Sequence, residues 1–410
     1  MRIATSQYYT SSTKTMDNQQ SQLLQLEQEL STGTALSTPA DNPVGASQAV
    51  SLSVTSAALT QYSSNQTSAL SSLRSEDVAL SSTSKTMQNA LTLVQEAQNG
   101  TFSDADRDAI ASQLSGVRSQ LMTLANTSDG MGNYIFAGFQ PTAQPFSDKA
   151  GGGVTYTGDE GQQLVQVSGT RQMAVNDSGA RVFMTVPPFG TSAVASGSMS
   201  NTGTGTVGAV SITDPISPNN DDTWKVTFGG TDDAPTYSVT DTTTNTVYSS
   251  DQPYTADSAI DVGGGMSIAV SGKPAAGDTF DVAPATKATT DVFKTLDDAI
   301  TALRTPVGSS NALQASMTNT LNAAMTQLNN SIVNVVTVQA SVGGREQELQ
   351  ALQTTVADNQ LQTTSNLQDL TGTNMVQTIS QYQQVQNALT ASQKSFVQIQ
   401  QLSLFQYLNT

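Results

Sequence analysis

The sequence contains no histidine and no cysteine. Without histidine, the chain lacks the commonest general base near neutral pH and the most frequent metal ligand. Without cysteine, it has no thiol nucleophile, no disulfide bond and no cysteine-based zinc site. We therefore expect a non-enzymatic protein with no catalytic residues, no cofactor and no metal site.

Charged residues are also scarce, at 12% of 410 residues, and most of them are acidic. The net charge of −17 argues against a nucleic-acid partner, because phosphate binding needs clustered lysine and arginine. No apolar run approaches the ~18 residues of a membrane-spanning helix, so we expect no membrane insertion. The first residues lack the apolar centre of a secretory signal, so a chain that leaves the cell would need an export route without a cleaved signal peptide.

Proline is missing from both ends, since all thirteen prolines lie between Pro39 and Pro306. The ends can therefore form long helices, whereas residues 141–285 alternate short β-branched or aromatic segments with turn clusters. Strands at this spacing predict one or two sandwich-like modules. The predicted fold class is mainly α with a β insertion: a rod of long coiled-coil helices from both termini, plus a central β-rich domain.

Helix and strand boundaries follow from turn and capping residues. Helices are predicted over residues 5–30, 45–99 and 103–126, from residue 290, and in a very long run after residue 306. Gly33 is a plausible stop for the first helix, and Ser103 with Asp106 forms a capping box for the third. The aromatic segment 133–139 (Asn-Tyr-Ile-Phe-Ala-Gly-Phe) predicts a strand.

Apolar residues in the helical ends recur at alternating spacings of four and three, which is typical of a coiled-coil seam. The flanking positions are largely Gln, Asn, Thr and Ser, which favours packing against further helices because unpaired charges are costly to bury. The predicted seam of the helical rod comprises Leu70, Leu73, Leu80, Met87, Leu91, Leu321, Leu328, Ile332, Val335 and Leu349.

A second apolar set lies nearer the termini, where little other chain is available to cover it. Isolated helices are marginal in water, so we expect these segments to become ordered on assembly with other subunits. The predicted assembly and partner contacts are Leu23, Leu26, Leu30, Ile379, Tyr382, Leu389, Phe396, Leu402, Leu404, Phe405 and Leu408.

Two motifs suggest ligand binding but have simpler interpretations. Residues 203–208 (Gly-Thr-Gly-Thr-Val-Gly) match a dinucleotide fingerprint, yet no strand precedes them and no helix follows, so a glycine-rich connection is expected. Asp104, Asp106 and Asp108 mimic the start of a calcium loop. The glycine and final glutamate of such a loop are missing, and helix capping explains these aspartates.

The helical ends carry family-specific residues. These are residues 1–5 (Met-Arg-Ile-Ala-Thr), 30–33 (Leu-Ser-Thr-Gly), 39–43 (Pro-Ala-Asp-Asn-Pro), 132–139 (Gly-Asn-Tyr-Ile-Phe-Ala-Gly-Phe), 342–345 (Val-Gly-Gly-Arg) and 403–408 (Ser-Leu-Phe-Gln-Tyr-Leu). With these motifs the chain resembles the flagellin superfamily, and within it the hook–filament junction proteins, the third group of hook-associated proteins. The aromatic segment 133–139 favours the junction proteins over flagellin itself.

The resemblance implies an extracellular structural adaptor that joins hook to filament in the bacterial flagellum. Its implied partners are further copies of itself, the neighbouring hook-associated junction protein, flagellin, and an export chaperone at the C-terminal region. The expected domains are residues 1–42 with 370–410 (terminal, assembly-dependent), 43–140 with 287–369 (helical rod), and 141–286 (outer β-rich domain). A minor flagellin is the alternative function, and a secreted adhesin or enzyme using the β domain is a distant one.

Overall fold

The structure, a computed structural model, describes residues 2–36, 38–40, 42–231 and 233–408, and for residues 2–5 and 401–408 the backbone only. The helices are α1 (Arg2–Thr32), α2 (Pro43–Ala97), α3 (Asp104–Ala125), α4 (Gly179–Phe183), α5 (Val292–Arg304), α6 (Asn311–Thr371) and α7 (Met375–Leu408). The strands are β1 (Phe146–Asp148), β2 (Val154–Tyr156), β3 (Leu164–Ser168), β4 (Arg171–Ala174), β5 (Val194–Gly197), β6 (Thr206–Val207), β7 (Ser211–Ile212), β8 (Trp224–Thr231), β9 (Ala234–Asp241), β10 (Thr246–Pro253), β11 (Ala259–Gly263), β12 (Met266–Ser271) and β13 (Thr279–Ala283).

The chain divides into two compact units. The terminal unit comprises Met1–Ser64 and Leu352–Thr410, and the central unit comprises Asn65–Ala351. Helices α2 and α6 contribute residues to both units. The predicted fold class, long helices from both ends around a β-rich insertion, is confirmed. The three-part division expected from the sequence stays a prediction.

Local signals in the sequence explain where the helices begin and end. Helix α1 stops at Thr32, and Gly33 follows with φ of 71°, the left-handed conformation that favours glycine at a helix end. The capping box of α3 is confirmed: the Asp106 N–H donates to the Ser103 hydroxyl, and the Ser103 N–H donates to the Asp106 carboxylate at 2.9 Å.

The region after residue 306 forms two long helices, α6 and α7, instead of one. The break lies at Gly372, whose N–H donates to the Gln368 carbonyl at 2.7 Å. Asn374 then caps α7, because its side-chain oxygen accepts from the Gln377 N–H at 3.2 Å. The interruption of the helical run thus coincides with a glycine and, two residues later, the residue that caps the next helix.

The strands β5–β13 form a two-sheet sandwich in the central unit. One sheet has the order β10-β9-β8-β13-β5, and the other has the order β11-β12-β6, with β7 also paired to β12. Buried residues alternate along β8, β12 and β13, as expected for strands with one face on the core. One hydrophobic core contains side chains of both sheets, among them Trp224, Phe228, Ile268 and Phe280. The hairpins β1–β2 and β3–β4 form separate two-stranded sheets.

The predicted strand over residues 133–139 is wrong. The segment consists of turns, with a single bridge between Tyr134 and Ser128. Part of the segment is nevertheless in the core: Phe136 is fully buried and meets Phe183 edge-on, with ring centroids 5.5 Å apart, whereas Phe139 is 62% exposed. Gly138, with φ of 68°, bends the chain where the Asp159 side chain accepts from the Phe139 N–H. Aromatic content thus did not determine the backbone conformation of this segment.

Candidate functional site

Helices α1 and α7 pack against each other in antiparallel orientation within the terminal unit. Near one end, the rings of Tyr9 and Phe396 meet edge-on with centroids 5.5 Å apart. Near the other end, the Ala35 N–H donates to the Thr371 carbonyl at 2.8 Å, and the Thr373 N–H donates to the Gly33 carbonyl at 3.0 Å. These contacts at both ends set the register of the helix pair, so the first and last parts of the chain form one structural element.

The predicted contact residues of the terminal unit are covered to different degrees. Leu26 is buried within the unit itself. The half-buried residues are Leu23, Leu30, Tyr382, Leu389 and Phe396. Ile379 is exposed. The side chains of Leu402, Leu404, Phe405 and Leu408 lie outside the described part of the chain. Contact of any of these residues with another subunit stays a prediction, and for Leu26 the visible role is to hold its own unit together.

The terminal unit also exposes large apolar side chains that lie outside the predicted contact set. They lie on all four of its helical segments, and Val376 (81% exposed) and Leu361 (73%) are the most open. The others are Tyr8, Leu24, Val44, Val50, Val54, Met375 and Val397. A signal was present, since Val50 and Val54 are four residues apart and share a helix face. A search for one dominant seam overlooks such a second stripe.

The predicted rod seam lies mostly in the core of the central unit. Leu70, Leu73, Leu80, Met87, Leu321, Leu328, Val335 and Leu349 are buried, whereas Leu91 and Ile332 are half-buried. Polar side chains link the same region: Gln98, just after α2, donates to Asn322 of α6 at 2.7 Å, and Gln339 of α6 donates to Asp77 of α2 at 3.0 Å. Within this chain the seam therefore forms the helical part of the core of the central unit.

A group of buried charges joins three parts of the central unit. Glu76 of α2 is fully buried and accepts from the Asp177 N–H at 2.9 Å. The Asp177 carboxylate, also fully buried, pairs with Arg181 of α4 and with Arg345 of α6. Burial, and after it the neighbouring Asp177 carboxylate, raises the pKa of Glu76 to about 8. The second carboxylate oxygen of Glu76 has no hydrogen-bond partner, which fits a carboxyl group held largely neutral.

The other candidate motifs have structural roles. In the glycine-rich segment 203–208, the Asn319 side chain donates to the Gly205 carbonyl at 3.0 Å and accepts from the Val207 N–H at 2.8 Å. The segment contains β6 and is followed by β7 and not by a helix, so it lacks the strand-to-helix setting of a dinucleotide fingerprint; part of the expected connection is a strand. Asp104 pairs with Arg107 and accepts from the N–H groups of Val307 and Gly308.

Two further features bear on chemistry. Within the described ranges, no three histidine, cysteine, aspartate or glutamate side chains gather closely enough to hold a metal ion. Nor does any helix among the described residues combine the length and hydropathy needed to cross a membrane. Exposed large apolar residues also occur in the central unit, for example Phe189 and Ile216, but among the described side chains only the terminal unit exposes more of them than it buries.

Comparison with known proteins gives a consistent result. Residues 3–140 match the family described as bacterial flagellin N-terminal helical region. The chain is 29% identical, over 99% of both sequences, to flagellar hook-associated protein 3 of Escherichia coli. It covers 98% of the crystal structure of Xanthomonas campestris FlgL at 30% identity, with 76% of this chain aligned and a TM-score of 0.67.

A further solved structure agrees. The flagellar junction protein FlgL of Legionella pneumophila is 26% identical to this chain, with a TM-score of 0.67 over 79% of this chain and 99% of that protein. The helical arrangement, the β insertion and the near-complete coverage of these relatives lead to one conclusion. The chain belongs to the hook-associated protein 3 (FlgL) family of the flagellin superfamily.

Proposed function

We propose that this protein is a structural subunit of the bacterial flagellum that joins hook to filament through packing of its terminal helices. The proposal is carried by the apolar side chains that the terminal unit leaves exposed while it buries few of its own. Exposed apolar patches of this kind mark interaction surfaces. The related proteins named hook-associated protein 3 and flagellar junction protein support the same role.

The partners follow from this role. The terminal helices meet further copies of the chain, the neighbouring hook-associated junction protein on one side and flagellin on the other. An export chaperone holds the C-terminal region before assembly, and the chain leaves the cell without a cleaved signal peptide. In the polymer, residues 1–42 with 370–410 form the inner part, residues 43–140 with 287–369 the rod, and residues 141–286 the outer domain.

The main alternative is a minor flagellin, which would be a subunit along the whole filament. The near-complete coverage of hook-associated protein 3, together with the solved FlgL structures, favours the junction role. A secreted adhesin or enzyme has no supporting observation. Immunogold labelling separates the two flagellar functions: we expect label at the base of the filament only, and label along the whole filament would contradict the proposal.

Matched substitutions test whether the exposed face of α7 makes the contacts. Val376→Asp places a charge on this face, and Val247→Asp places one on β10 of the central unit, where Val247 is also well exposed (62%). In a strain lacking the native gene, we expect Val376→Asp to abolish filament attachment, because a charge buried in an interface is costly. Val247→Asp should retain motility.

The purified Val376→Asp protein should keep the circular dichroism and the free energy of unfolding of the wild-type monomer, because Val376 is exposed in the isolated chain. This control separates loss of assembly from loss of folding. Normal filaments with Val376→Asp, or equal loss of attachment with Val247→Asp, would overturn the assignment of the contact surface to the terminal helices.

A further inference from the structure

The connection between α2 and α3 carries the one Asn-Gly pair of the sequence, Asn99-Gly100. Both residues are exposed. A glycine after asparagine matters chemically because it has no side chain to hinder approach of its backbone nitrogen to the neighbouring side-chain amide. This pair is therefore the position in the chain where backbone and side chain can react most readily.

The local geometry favours such a reaction. The Asn99 side-chain oxygen accepts two hydrogen bonds, from the Thr101 N–H at 3.2 Å and from the Thr101 hydroxyl at 2.9 Å. This is an Asx turn reinforced by the hydroxyl. Donors on the amide oxygen withdraw electrons from Cγ and make that carbon a better electrophile.

The two groups that must move are unrestrained. The Asn99 side-chain nitrogen, which would be the leaving group, makes no hydrogen bond with any described residue. The Gly100 backbone nitrogen, which would be the nucleophile, donates none either. A Cβ placed on Gly100 would meet nothing within 4 Å, so the space around the pair is open to water.

We propose that Asn99 is a site of spontaneous deamidation driven by Gly100. The Gly100 nitrogen gives its proton to base in the solvent and bonds to Asn99 Cγ, and the side-chain nitrogen leaves with a proton as ammonia. The product is a five-membered succinimide. Water then adds to one of its two carbonyl carbons and breaks the bond from that carbon to nitrogen. One product is aspartate, and the other is isoaspartate with the main chain routed through the side chain.

Other sites of related sequence are protected by their hydrogen bonds. At Asp129-Gly130, one carboxylate oxygen accepts from the Met131 N–H at 2.8 Å and the other from the Asn133 side chain at 2.9 Å. The Asn133 hydrogen bond lowers the pKa of Asp129, and an ionised carboxylate is a poor electrophile.

Asn201 is protected in a different way. Its side chain donates to the Thr279 carbonyl and accepts from the Thr279 N–H, both at 2.9 Å, so the leaving group is held. Thr202, which follows it, also has a bulkier side chain than glycine. The structure thus separates Asn99 from asparagines that are held in place.

The reaction would alter a structurally defined turn. The Phe102 N–H donates to the Asn99 carbonyl at 3.1 Å, just before Ser103 caps α3. Isoaspartate lengthens the main chain at this point and displaces that carbonyl. Either product adds a negative charge close to the C-terminal end of α2, where the helix dipole disfavours anions. The α2–α3 turn would therefore change with the age of each molecule.

Peptide mapping by mass spectrometry tests the proposal on the purified full-length chain. Samples incubated for weeks in mildly alkaline and mildly acidic buffer should show an Asn99 peptide about 1 Da heavier, with isoaspartate identified by electron-transfer fragmentation. We expect Asn99 to convert at least ~10-fold faster than any other asparagine, because Asn99 is the only asparagine of the sequence that is followed by glycine. Conversion should be faster in alkaline buffer, because attack requires the deprotonated nitrogen.

Gly100→Ala is the matched control. The φ of Gly100 lies outside the left-handed region and its surroundings are open, so alanine fits without strain, and unchanged circular dichroism should verify this. The added methyl group hinders attack, so conversion should slow at least ~10-fold. Thr101→Val removes the hydroxyl donor but keeps the N–H, and its rate should lie between the two. An intact Asn99 while other asparagines deamidate, or equal rates in wild type and Gly100→Ala, would overturn the proposal.

Discussion

The terminal and central units differ in how they are stabilised. Among described side chains, the buried large apolar residues of the terminal unit are Leu26, Leu59 and Val356, and more residues of this kind are exposed there than buried. The central unit has a sandwich core, a buried helical seam and an aromatic cluster around Phe183. Every ion pair formed by described residues lies in the central unit.

The difference predicts which unit depends on partners. Burial of apolar surface is the main favourable term in folding, so a unit that buries little is marginal alone. We expect the central unit to fold as a monomer, and we expect the terminal unit to gain most of its stability when other subunits cover its apolar faces.

Hydrogen exchange should reveal the largest effect. In the purified monomer, we expect amides of α1 and α7 to exchange with opening free energies of about 0–2 kcal/mol, against roughly 5 kcal/mol or more for β8 and α3. The physical reason is the small apolar area buried in the terminal unit. Exchange monitored by mass spectrometry measures both regions in one experiment. Equal protection of α7 and β8 in the monomer would break the comparison, and new protection of α7 in the assembled polymer would sharpen it.

Leucine truncations in the two units should differ by a smaller amount. Leu121 of α3 is fully buried, so Leu121→Ala should lower the free energy of unfolding by about 2–5 kcal/mol through lost burial and a cavity. Leu361 of α6, in the terminal unit, is exposed, and Leu361→Ala should change stability by less than ~0.5 kcal/mol. Urea denaturation followed by circular dichroism measures both. A loss for Leu361→Ala as large as that for Leu121→Ala would show that this part of the terminal unit is packed in the monomer.

The pH dependence of stability should come from the central unit. The pKa of Glu76 is about 8 in the folded chain against an ordinary 4.5, because burial and then Asp177 disfavour its charged form. The folded state therefore binds the extra proton, so this stabilisation is fully present below about pH 4.5 and is lost as pH rises through about 8. Glu76→Gln removes this titration. Between about pH 4.5 and 8, the unfolding free energy of the variant should therefore fall by ~1.4 kcal/mol or more less than that of wild type.

Glu27→Gln is the control in the terminal unit, where Glu27 is exposed. Denaturation curves measured across the pH range for wild type and both variants provide the test. A pH profile of Glu76→Gln identical to that of wild type would show that Glu76 does not titrate there. A change with Glu27→Gln would place part of the pH dependence in the terminal unit.

Much of the fold was predictable from particular residues. Gly33, Ser103 and the proline-free ends correctly indicated helix boundaries, because capping and proline act within a few residues. The break at Gly372 was not predicted, because the region after residue 306 was expected to form one very long helical run. Residues 133–139 were predicted wrongly because aromatic residues suit a strand and a buried turn equally, and only the packing of Phe136 on Phe183 decides between them.

For the candidate contact surface, sequence reasoning recognised the type of residue but not the direction of its side chain. A heptad pattern identifies which residues share a face, yet Leu26 and Ile379 belong to the same predicted set and are buried and exposed, respectively. The exposed Val50 and Val54 of α2 and Val376 of α7 lie outside the predicted set. Whether a side chain points into the core depends on which helix packs opposite it. That packing brings together residues far apart in the sequence.

The sequence by itself determined the helical ends, the β insertion, the absence of histidine and cysteine chemistry, and the family resemblance. These properties depend on composition and on interactions between residues close in the chain. The tertiary structure alone decided that Glu76 meets Asp177 and Arg345, and that the Asn99 oxygen is held while its nitrogen is not. It also decided which apolar faces remain uncovered. Burial and hydrogen bonding depend on which segments meet, and only the folded chain brings distant residues together.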